Sequence, residues 1–229
     1  MTTPGKLLRV RFVLAVLITA VISCLLAAGV IAIKRAQHAA NLCTAYGRLC
    51  QMRLALQNYE RVYDALPPIC LKDVEKKPTQ SWRALIFPYL ETQSLKQVDL
   101  SQPWDSEDNH KIIDNVPQRD WGWFARDRIP SEQHPPVTHI VALLGKDSIW
   151  DANTGLPKGP TCKNLNAILL ISIPESDIHP LEPRDITESE LRVLVENGVE
   201  ALFINSNDHG YGIVRLDGGE LTFQGHPDD

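Results

Sequence analysis

Residues 12–33 read FVLAVLITAVISCLLAAGVIAI, a run of 22 residues without a charge. A helix that crosses a lipid bilayer needs about 20 consecutive apolar residues, so this run predicts one transmembrane helix. Basic residues flank it on both sides: Lys6, Arg9 and Arg11 come before it, and Lys34 and Arg35 come after it. Because the first group is the larger one, the positive-inside rule favours a cytoplasmic segment at 1–11.

Two other interpretations of the run stay open. A cleaved secretory signal has an apolar core of about 7–15 residues and a small-residue exit site, which Ala27, Ala28 and Gly29 would supply. A lipoprotein would instead carry its lipid on Cys24, because residues 21–24 (VISC) form a small-residue run that ends in cysteine after a basic start. The apolar run continues past all four residues, and its length favours an uncleaved signal anchor.

The chain beyond the anchor is acidic. The 229 residues include 23 basic and 28 acidic ones, and residues 1–33 hold three of the basic residues and no acidic residue. No block rich in lysine and arginine occurs, so we expect no nucleic acid among the partners. At roughly 100–200 residues per domain, the length fits one folded domain with an appendage.

The helical pattern continues beyond the apolar run. Large apolar and aromatic residues recur at every third or fourth position, as on one face of a helix: Leu42, Tyr46, Leu49, Met52, Leu56, Tyr59 and Tyr63. Pro67 and Pro68 stop this pattern, because proline lacks the backbone N–H that a helix needs. The sequence therefore predicts a soluble continuation of the helix at 34–66 and an extracytoplasmic domain at 67–229.

Strand and helix signals mix within this domain. The apolar runs at 138–144 and 167–172 are typical of buried strands. Thr187 and Glu190 form the signature of a capping box at the start of a short helix. The turn residues Asp217–Gly219 predict a hairpin between two strands. The expected fold class is α+β.

The five cysteines include no C-x-x-C pair, which argues against a zinc site. On one continuous helix, Cys43 and Cys50 would lie about 10 Å apart, which is too far for a disulfide. In an oxidising compartment the best candidate for a disulfide is Cys70 with Cys162. Buried free thiols are the alternative.

Two groups of side chains suggest ligands, and each has a simpler explanation. Oxygen ligands of the kind that calcium prefers occur at Asp105, Glu107, Asp108 and Asn109, but the EF-hand glycine and distal glutamate are missing. A solvated acidic loop is the preferred interpretation, and we expect no other cofactor. A second group is Trp104, Trp121 and Trp123, which would form either a glycan or peptide platform or a small satellite core. The satellite core is favoured.

Five stretches of the sequence form a characteristic series: LALQNYERVYDALPP (54–68), SWRALIFPYLE (81–91), DLSQPWDSEDN (99–109), NAILLIS with EPRDIT (166–172 and 182–187), and LDGGELTF (216–223). In the same order, they resemble stretches of a large bacterial family of prepilin-like proteins of unknown function. The residues that match the family motifs are Trp82, Arg83, Pro88, Tyr89, Pro103, Trp104, Asp105, Glu182, Pro183, Arg184, Asp185, His209, Asp217 and Gly218. That family is also known for a C-terminal H-x9-D-G motif.

The resemblance implies a type IV pilin-like or type II secretion pseudopilin-like fold, with a long N-terminal helix packed on an antiparallel sheet. It also implies an inner-membrane location and partners among pseudopilin-like subunits or envelope proteins. This chain departs from the family at its prepilin peptidase site, because Arg11 and Val16 replace the usual glycine and glutamate. Seven residues rather than nine separate His209 from Asp217.

The sequence therefore predicts a membrane-anchored, pseudopilin-like protein with a structural or interaction role and no enzymatic activity. The alternative is an envelope ligand- or glycan-binding module that is anchored by its helix or by a lipid. An enzyme is the third hypothesis. It would require that at least two of five polar side chains meet in one pocket: Asp105, His110, His134, His179 and His209.

Overall fold

A computed structural model describes residues 4–90, 94–124, 136–159, 167–174, 176–206 and 210–225. The chain divides into two units, residues 1–44 and 45–229. Helix α1 (Pro4–Tyr63) forms the described part of the first unit and continues into the second.

The apolar half of α1 has the properties of a membrane anchor. Among the described residues, α1 is the single helix that is long and apolar enough to cross a bilayer. Every side chain from Leu17 to Asn41 is exposed in the protein. An apolar helix surface that the protein itself does not cover is stable in lipid but not in water.

The second half of α1 belongs to the folded domain. Leu49, Met52 and Leu56 are completely buried, as the helical spacing predicted. Tyr46 packs against Tyr211, with ring centroids 4.9 Å apart. This half of the helix therefore contributes its apolar stripe to the core of the domain.

The helix ends at Tyr63, close to the predicted position. Asp64 follows with a φ of 54°, a left-handed conformation that breaks the helical hydrogen-bond pattern. The segment that follows α1 is fixed to the core at Pro67, because the Pro67 carbonyl accepts a hydrogen bond of 3.0 Å from Trp150 Nε1.

Short elements make up the remainder of the domain. The strands are β1 (Cys70–Lys72), β2 (Pro78–Ser81), β3 (Ile140–Val141), β4 (Leu143–Leu144), β5 (Ile168–Ser172), β6 (Ile186–Thr187), β7 (Ala201–Asn205), β8 (Gly212–Asp217) and β9 (Glu220–Gly225). The helices are α2 (Trp82–Ile86), α3 (Glu107–Ile113), α4 (Gln118–Trp121) and α5 (Glu188–Glu196), with single 3-10 turns at Phe87–Tyr89 and Leu95–Gln97.

The main sheet is antiparallel and has the strand order β3-β5-β7-β8-β9. A second, two-stranded sheet joins β1 and β2, and a third joins β4 and β6 in parallel. Strand β5 is buried along its whole length, as the apolar run at 167–172 predicted. A long N-terminal helix together with a mostly antiparallel sheet confirms the predicted α+β fold class.

Helix α5 covers part of the sheet and is held by its cap. The Thr187 side chain accepts a hydrogen bond from the backbone N–H of Glu190, and the Glu190 carboxylate accepts one from the Thr187 N–H. This reciprocal pair is the predicted capping box. Leu191 faces inward and belongs to the same hydrophobic cluster as Ile171 and Phe203 of the sheet.

The predicted hairpin is present at the end of the described chain. Strands β8 and β9 pair along their whole length, from Gly212 opposite Gly225 to Asp217 opposite Glu220. Gly218 and Gly219 both have positive φ angles, of 58° and 86°, which a tight two-residue turn between twisted strands requires.

Candidate functional site

Two of the family-like stretches, SWRALIFPYLE (81–91) and EPRDIT (182–187), meet at a buried ion pair in the domain. Arg83, in the first turn of α2, and Asp185, just before β6, are 102 residues apart in sequence. Their side chains are fully buried, and Arg83 Nη2 donates a short hydrogen bond to Asp185 Oδ1. Removal of one partner from such a buried pair leaves an uncompensated charge in the protein interior.

Further hydrogen bonds satisfy most of the polar atoms of this pair. Arg83 Nε donates to the Ile140 carbonyl over 3.0 Å, and Arg83 Nη1 donates to Ser81 Oγ over 2.8 Å. Asp185 accepts from Trp82 Nε1 over 3.0 Å and from the Ala142 N–H over 2.7 Å. The network therefore links α2, the β3–β4 segment and β6, and we call it the Arg83–Asp185 network.

Burial shifts the acid–base properties of both charged groups. Loss of solvent raises the pKa of the Asp185 carboxyl to about 6, although the guanidinium of Arg83 and three hydrogen bonds act in the opposite direction. Desolvation lowers the pKa of Arg83. Because both side chains are sealed from solvent, the network organises the fold and offers no surface to a substrate.

Other residues of the EPRDIT stretch (182–187) reach the surface. Arg184 Nε donates to Glu182 Oε1 over 2.8 Å, and its Nη2 lies 3.0 Å from Asp177 Oδ1. Glu182 in turn accepts a hydrogen bond from the His179 N–H over 3.1 Å. The loop before β6 is therefore fixed by charged side chains on its outer side and by Asp185 on its inner side.

An open groove lies beside this loop. It has a volume of about 730 Å³ and is lined by α5 and by residues between 173 and 186. Its walls include the apolar side chains of Ile173, Ile178, Ile186 and Leu194. We call this cavity the α5 groove. Its size lies within the range of about 300–1,000 Å³ that is typical of binding pockets.

Charged and exposed side chains border the α5 groove. Asp177, Arg184 and Glu190 contribute its charged atoms. Val193 also lines it and is 53% exposed, which is unusual for a valine in the middle of a helix. This groove was not predictable from the sequence, because its lining comes from separate segments.

The tryptophans do not form an open platform. Trp121 is only 2% exposed. Trp104 stacks on the imidazole of His179, with ring centroids 4.8 Å apart, and Trp121 packs against the edge of the same ring at 5.7 Å. Trp123 is half-buried. The structure agrees with the favoured interpretation, a satellite core, and not with a glycan platform made from all three rings.

His179 is neutral within this cluster. Burial lowers its pKa to about 4, and the nearby positive charges of His110 and Arg83 add to this effect. Its Nδ1 accepts a hydrogen bond of 3.2 Å from the Leu181 N–H, so the other ring nitrogen carries the proton.

Among the described residues of the enzyme hypothesis, Asp105, His110 and His179 do not line the α5 groove. His110 and His179 lie on Trp104, with ring centroids 6.4 Å and 4.8 Å from it. Asp105 is exposed on the loop before α3. His134 and His209 lie outside the described residues.

The four candidate calcium ligands are not brought together. Lys111 pairs with Glu107 at 3.1 Å and with Asp108 at 3.2 Å, so these carboxylates are engaged on the surface of α3. The amide of Asn109 is completely buried and binds backbone groups of Asp99 and Pro103. Among the described residues, no group of three or more His, Cys, Asp or Glu side chains could hold a metal ion.

Asn109, the last residue of the DLSQPWDSEDN stretch (99–109), has a structural role that the sequence did not predict. Its Nδ2 donates to the carbonyls of Asp99 and Pro103, and its Oδ1 accepts from the Asp99 N–H. Gln80, which is also completely buried, donates to the carbonyls of Asp99 and Gln102. Two buried amides therefore fix the loop 99–103 that precedes Trp104.

The remaining predicted site residues that the structure describes do not line the α5 groove. Pro88 is exposed, and Tyr89 packs edge-on against Tyr59 of α1 at 6.2 Å. Cys70 is half-buried, and Cys162 lies outside the described residues, so this disulfide stays a prediction. His209 is also outside the described residues, while Asp217 ends β8 and Gly218 is the first residue of the β8–β9 turn.

Fold and site together define an α+β domain carried on a helix that is a candidate membrane anchor. Residues 45–162 match the family described as "Protein of unknown function (DUF1559)". This match covers more than half of the chain, and the chain therefore belongs to that family. No match was found among curated proteins or among solved structures.

Proposed function

We propose that this chain is a single-pass, inner-membrane protein with a pseudopilin-like architecture, whose domain faces the extracytoplasmic side. Its role is structural or interaction-based and not catalytic. The observation that carries the proposal is the division of α1: side chains 17–41 are exposed and largely apolar, whereas Leu49, Met52 and Leu56 are buried in the domain.

The use of the motif residues supports an architectural role. Arg83, Asp185 and Asn109 have chemically versatile side chains, yet all three are buried and engaged in internal hydrogen bonds. Groups that are sealed in this way stabilise a particular fold and cannot reach a substrate. The accessible feature is the α5 groove, which suits binding.

The sequence of the anchor argues against prepilin processing. Arg11 and Val16 stand where that peptidase and pilin assembly require glycine and glutamate. We therefore expect an uncleaved N-terminus. The mass of the mature protein tests this point, because prepilin cleavage, signal cleavage and a lipid on Cys24 each change the mass by a different amount.

Membrane insertion is tested by charges in the apolar run. A lysine at the centre of a membrane helix costs about 2.5–3.5 kcal/mol, so Val21→Lys/Ile22→Lys should lose stable insertion. The control is Val74→Lys/Leu156→Lys, which changes two exposed residues of the domain in the same way. We expect wild type and control in the carbonate-resistant membrane fraction. Wild-type protein in the soluble fraction would overturn the proposal.

Orientation is tested with one cysteine. Cys43 is exposed and follows the apolar run, so a variant that retains only Cys43 should react with a membrane-impermeant maleimide in intact spheroplasts. In the matched control, a cysteine-free chain with Thr2→Cys should react only after lysis. The reverse pattern would mean that the domain is cytoplasmic.

A further inference from the structure

We propose that Tyr59 and Tyr63, at the end of α1, form an oxidative modification site. A peroxidase-type oxidant, with hydrogen peroxide as its electron acceptor, joins the two phenol rings by a carbon–carbon bond, and the product is an intramolecular dityrosine. This inference goes beyond the proposed membrane role and does not depend on it, because both residues belong to the unit 45–229 and not to the anchor.

The tyrosines of this chain occur in contact with one another. There are five of them, and each ring contacts the ring of another tyrosine. The ring centroids of Tyr46 and Tyr211 are 4.9 Å apart, and that of Tyr59 lies 4.4 Å from Tyr63 and 6.2 Å from Tyr89. None of the five is fully buried, so the filling of the core does not account for these contacts.

The closest contact joins Tyr59 and Tyr63. The two residues are four positions apart on a continuous helix and therefore lie on the same face. Their ring planes are inclined by 35°, and a centroid separation of 4.4 Å brings the two rings into van der Waals contact. Rotations about the side-chain bonds are sufficient to bring two reactive ring carbons together, so the backbone does not have to move.

An oxidant in solution can reach this pair through Tyr63. This residue is 60% exposed, whereas the other four tyrosines and all five tryptophans are half-buried or buried. Tyr63 is therefore the aromatic side chain that a one-electron oxidant reaches most easily. The phenol in contact with it is that of Tyr59, which is half-buried.

The step transfers two hydrogen atoms to hydrogen peroxide. Each phenol loses one electron and its O–H proton, which leaves a phenoxyl radical whose unpaired electron is shared by the ring carbons ortho to the oxygen. One ortho carbon of Tyr59 combines with one of Tyr63, so one C–C bond forms. The C–H bond of each of these carbons then breaks, its proton passes to water, and each ring oxygen regains a proton. The O–O bond of the peroxide breaks, and two water molecules leave.

The product would close the last turn of α1 covalently. Tyr63 is the last residue of the helix, and Asp64 follows it in a left-handed conformation. The ends of helices fray, and a bond between side chains four positions apart is compatible with the helix. The modification therefore keeps the helix intact up to the point where the chain turns towards β1.

Peroxidase treatment of the full-length, detergent-solubilised chain tests the proposal, with the native cysteines replaced by serine to prevent thiol oxidation. Trypsin cleaves after Arg53 and Arg61, so Tyr59 and Tyr63 fall into two separate peptides, 54–61 and 62–72. The other three tyrosines fall into three further tryptic peptides, so mass spectrometry identifies every pair. We expect dityrosine fluorescence, and peptides 54–61 and 62–72 joined, in protein that stays monomeric on a denaturing gel.

Substitutions by phenylalanine separate the tyrosine pairs, because phenylalanine keeps the ring but forms no phenoxyl radical. Tyr63→Phe should abolish the joined peptides 54–61 and 62–72. Tyr46→Phe is the matched control, which removes one phenol from the other pair and should leave this product unchanged. Unfolding in urea before oxidation should lower the yield, because the helix then no longer holds the two rings together.

Four results would overturn the inference and leave the membrane proposal standing. Dityrosine found only between peptides 36–48 and 193–215 would place the site at Tyr46 and Tyr211. A product found only in dimers would mean that the coupling occurs between two copies. Oxidised Tyr63 without any dityrosine would show that the two rings do not couple. An equal yield in urea would show that proximity in sequence, and not the fold, is responsible.

Discussion

Asp185 and Arg184 are neighbours in sequence but belong to opposite environments. Asp185 points inward, is sealed from solvent and completes the Arg83–Asp185 network. Arg184 points outward, is 41% exposed and borders the α5 groove. One short motif therefore has two separate tasks, and residue type alone does not distinguish them. The inner residue should therefore contribute much more to stability than the outer one.

The largest expected effect comes from the inner residue. Asp185→Asn keeps the shape of the side chain but leaves Arg83 charged and uncompensated in the interior. We expect a loss of about 3–5 kcal/mol in the free energy of unfolding, measured by chemical denaturation of the detergent-solubilised chain. Arg184→Gln is the matched control and should cost only about 0–1 kcal/mol. Equal losses in both variants would contradict the comparison.

A pH-dependent effect of similar size should come from His179. The folded state lowers the pKa of this group from 6.5 to about 4, so it binds its proton less readily than the unfolded state does. The contribution to stability is complete above pH 6.5 and is lost as the pH falls towards 4. It amounts to about 3 kcal/mol.

His179→Asn should remove this dependence, because its amide oxygen can still accept the hydrogen bond from Leu181. The free energy of unfolding of wild type should fall by about 3 kcal/mol relative to the variant between pH 7 and pH 4. Asp185 has a raised pKa and acts in the opposite sense, but it is present in both proteins and cancels in the difference. Parallel pH curves for the two proteins would refute the prediction.

The capping box should have a smaller effect. Thr187→Ala removes the acceptor for the backbone N–H of Glu190 at the start of α5. We expect a loss of about 1 kcal/mol in the free energy of unfolding. Thr187→Ser keeps the hydroxyl group and should restore most of it. A loss that serine does not restore would point to the methyl group and not to the cap.

The smallest expected effect on stability belongs to the outer surface of the groove. Val193→Ser changes a residue that is already 53% exposed, so the free energy of unfolding should change by no more than about 0.5 kcal/mol. A large loss of stability would show that Val193 packs as a core residue.

Local patterns predicted much of the fold. The uncharged run identified the apolar part of α1, the spacing of Leu49, Met52 and Leu56 identified its buried face, and Thr187 identified the start of α5. Each of these signals lies within a few residues of the structure that it predicts. The rules of helix periodicity and capping act at that range.

The Arg83–Asp185 network and the α5 groove were not predictable in this way. A charged residue is expected at the surface, and no local pattern indicates that Arg83 is buried against a carboxylate 102 residues away. The parallel pairing of β4 with β6 was not predictable for the same reason, because the two strands are about 40 residues apart in sequence. Such contacts depend on the tertiary arrangement, which a single sequence does not encode locally.

The two buried amides that fix the loop 99–103 have a consequence for the chemical durability of the protein. Gln80 and Asn109 carry no charge at any ordinary pH, so acid or salt does not weaken their hydrogen bonds to this loop in the way that it could weaken an ion pair. These side chains remain susceptible to deamidation. Hydrolysis of the Asn109 amide to an acid would replace two donated hydrogen bonds by a buried carboxylate facing the carbonyls of Asp99 and Pro103.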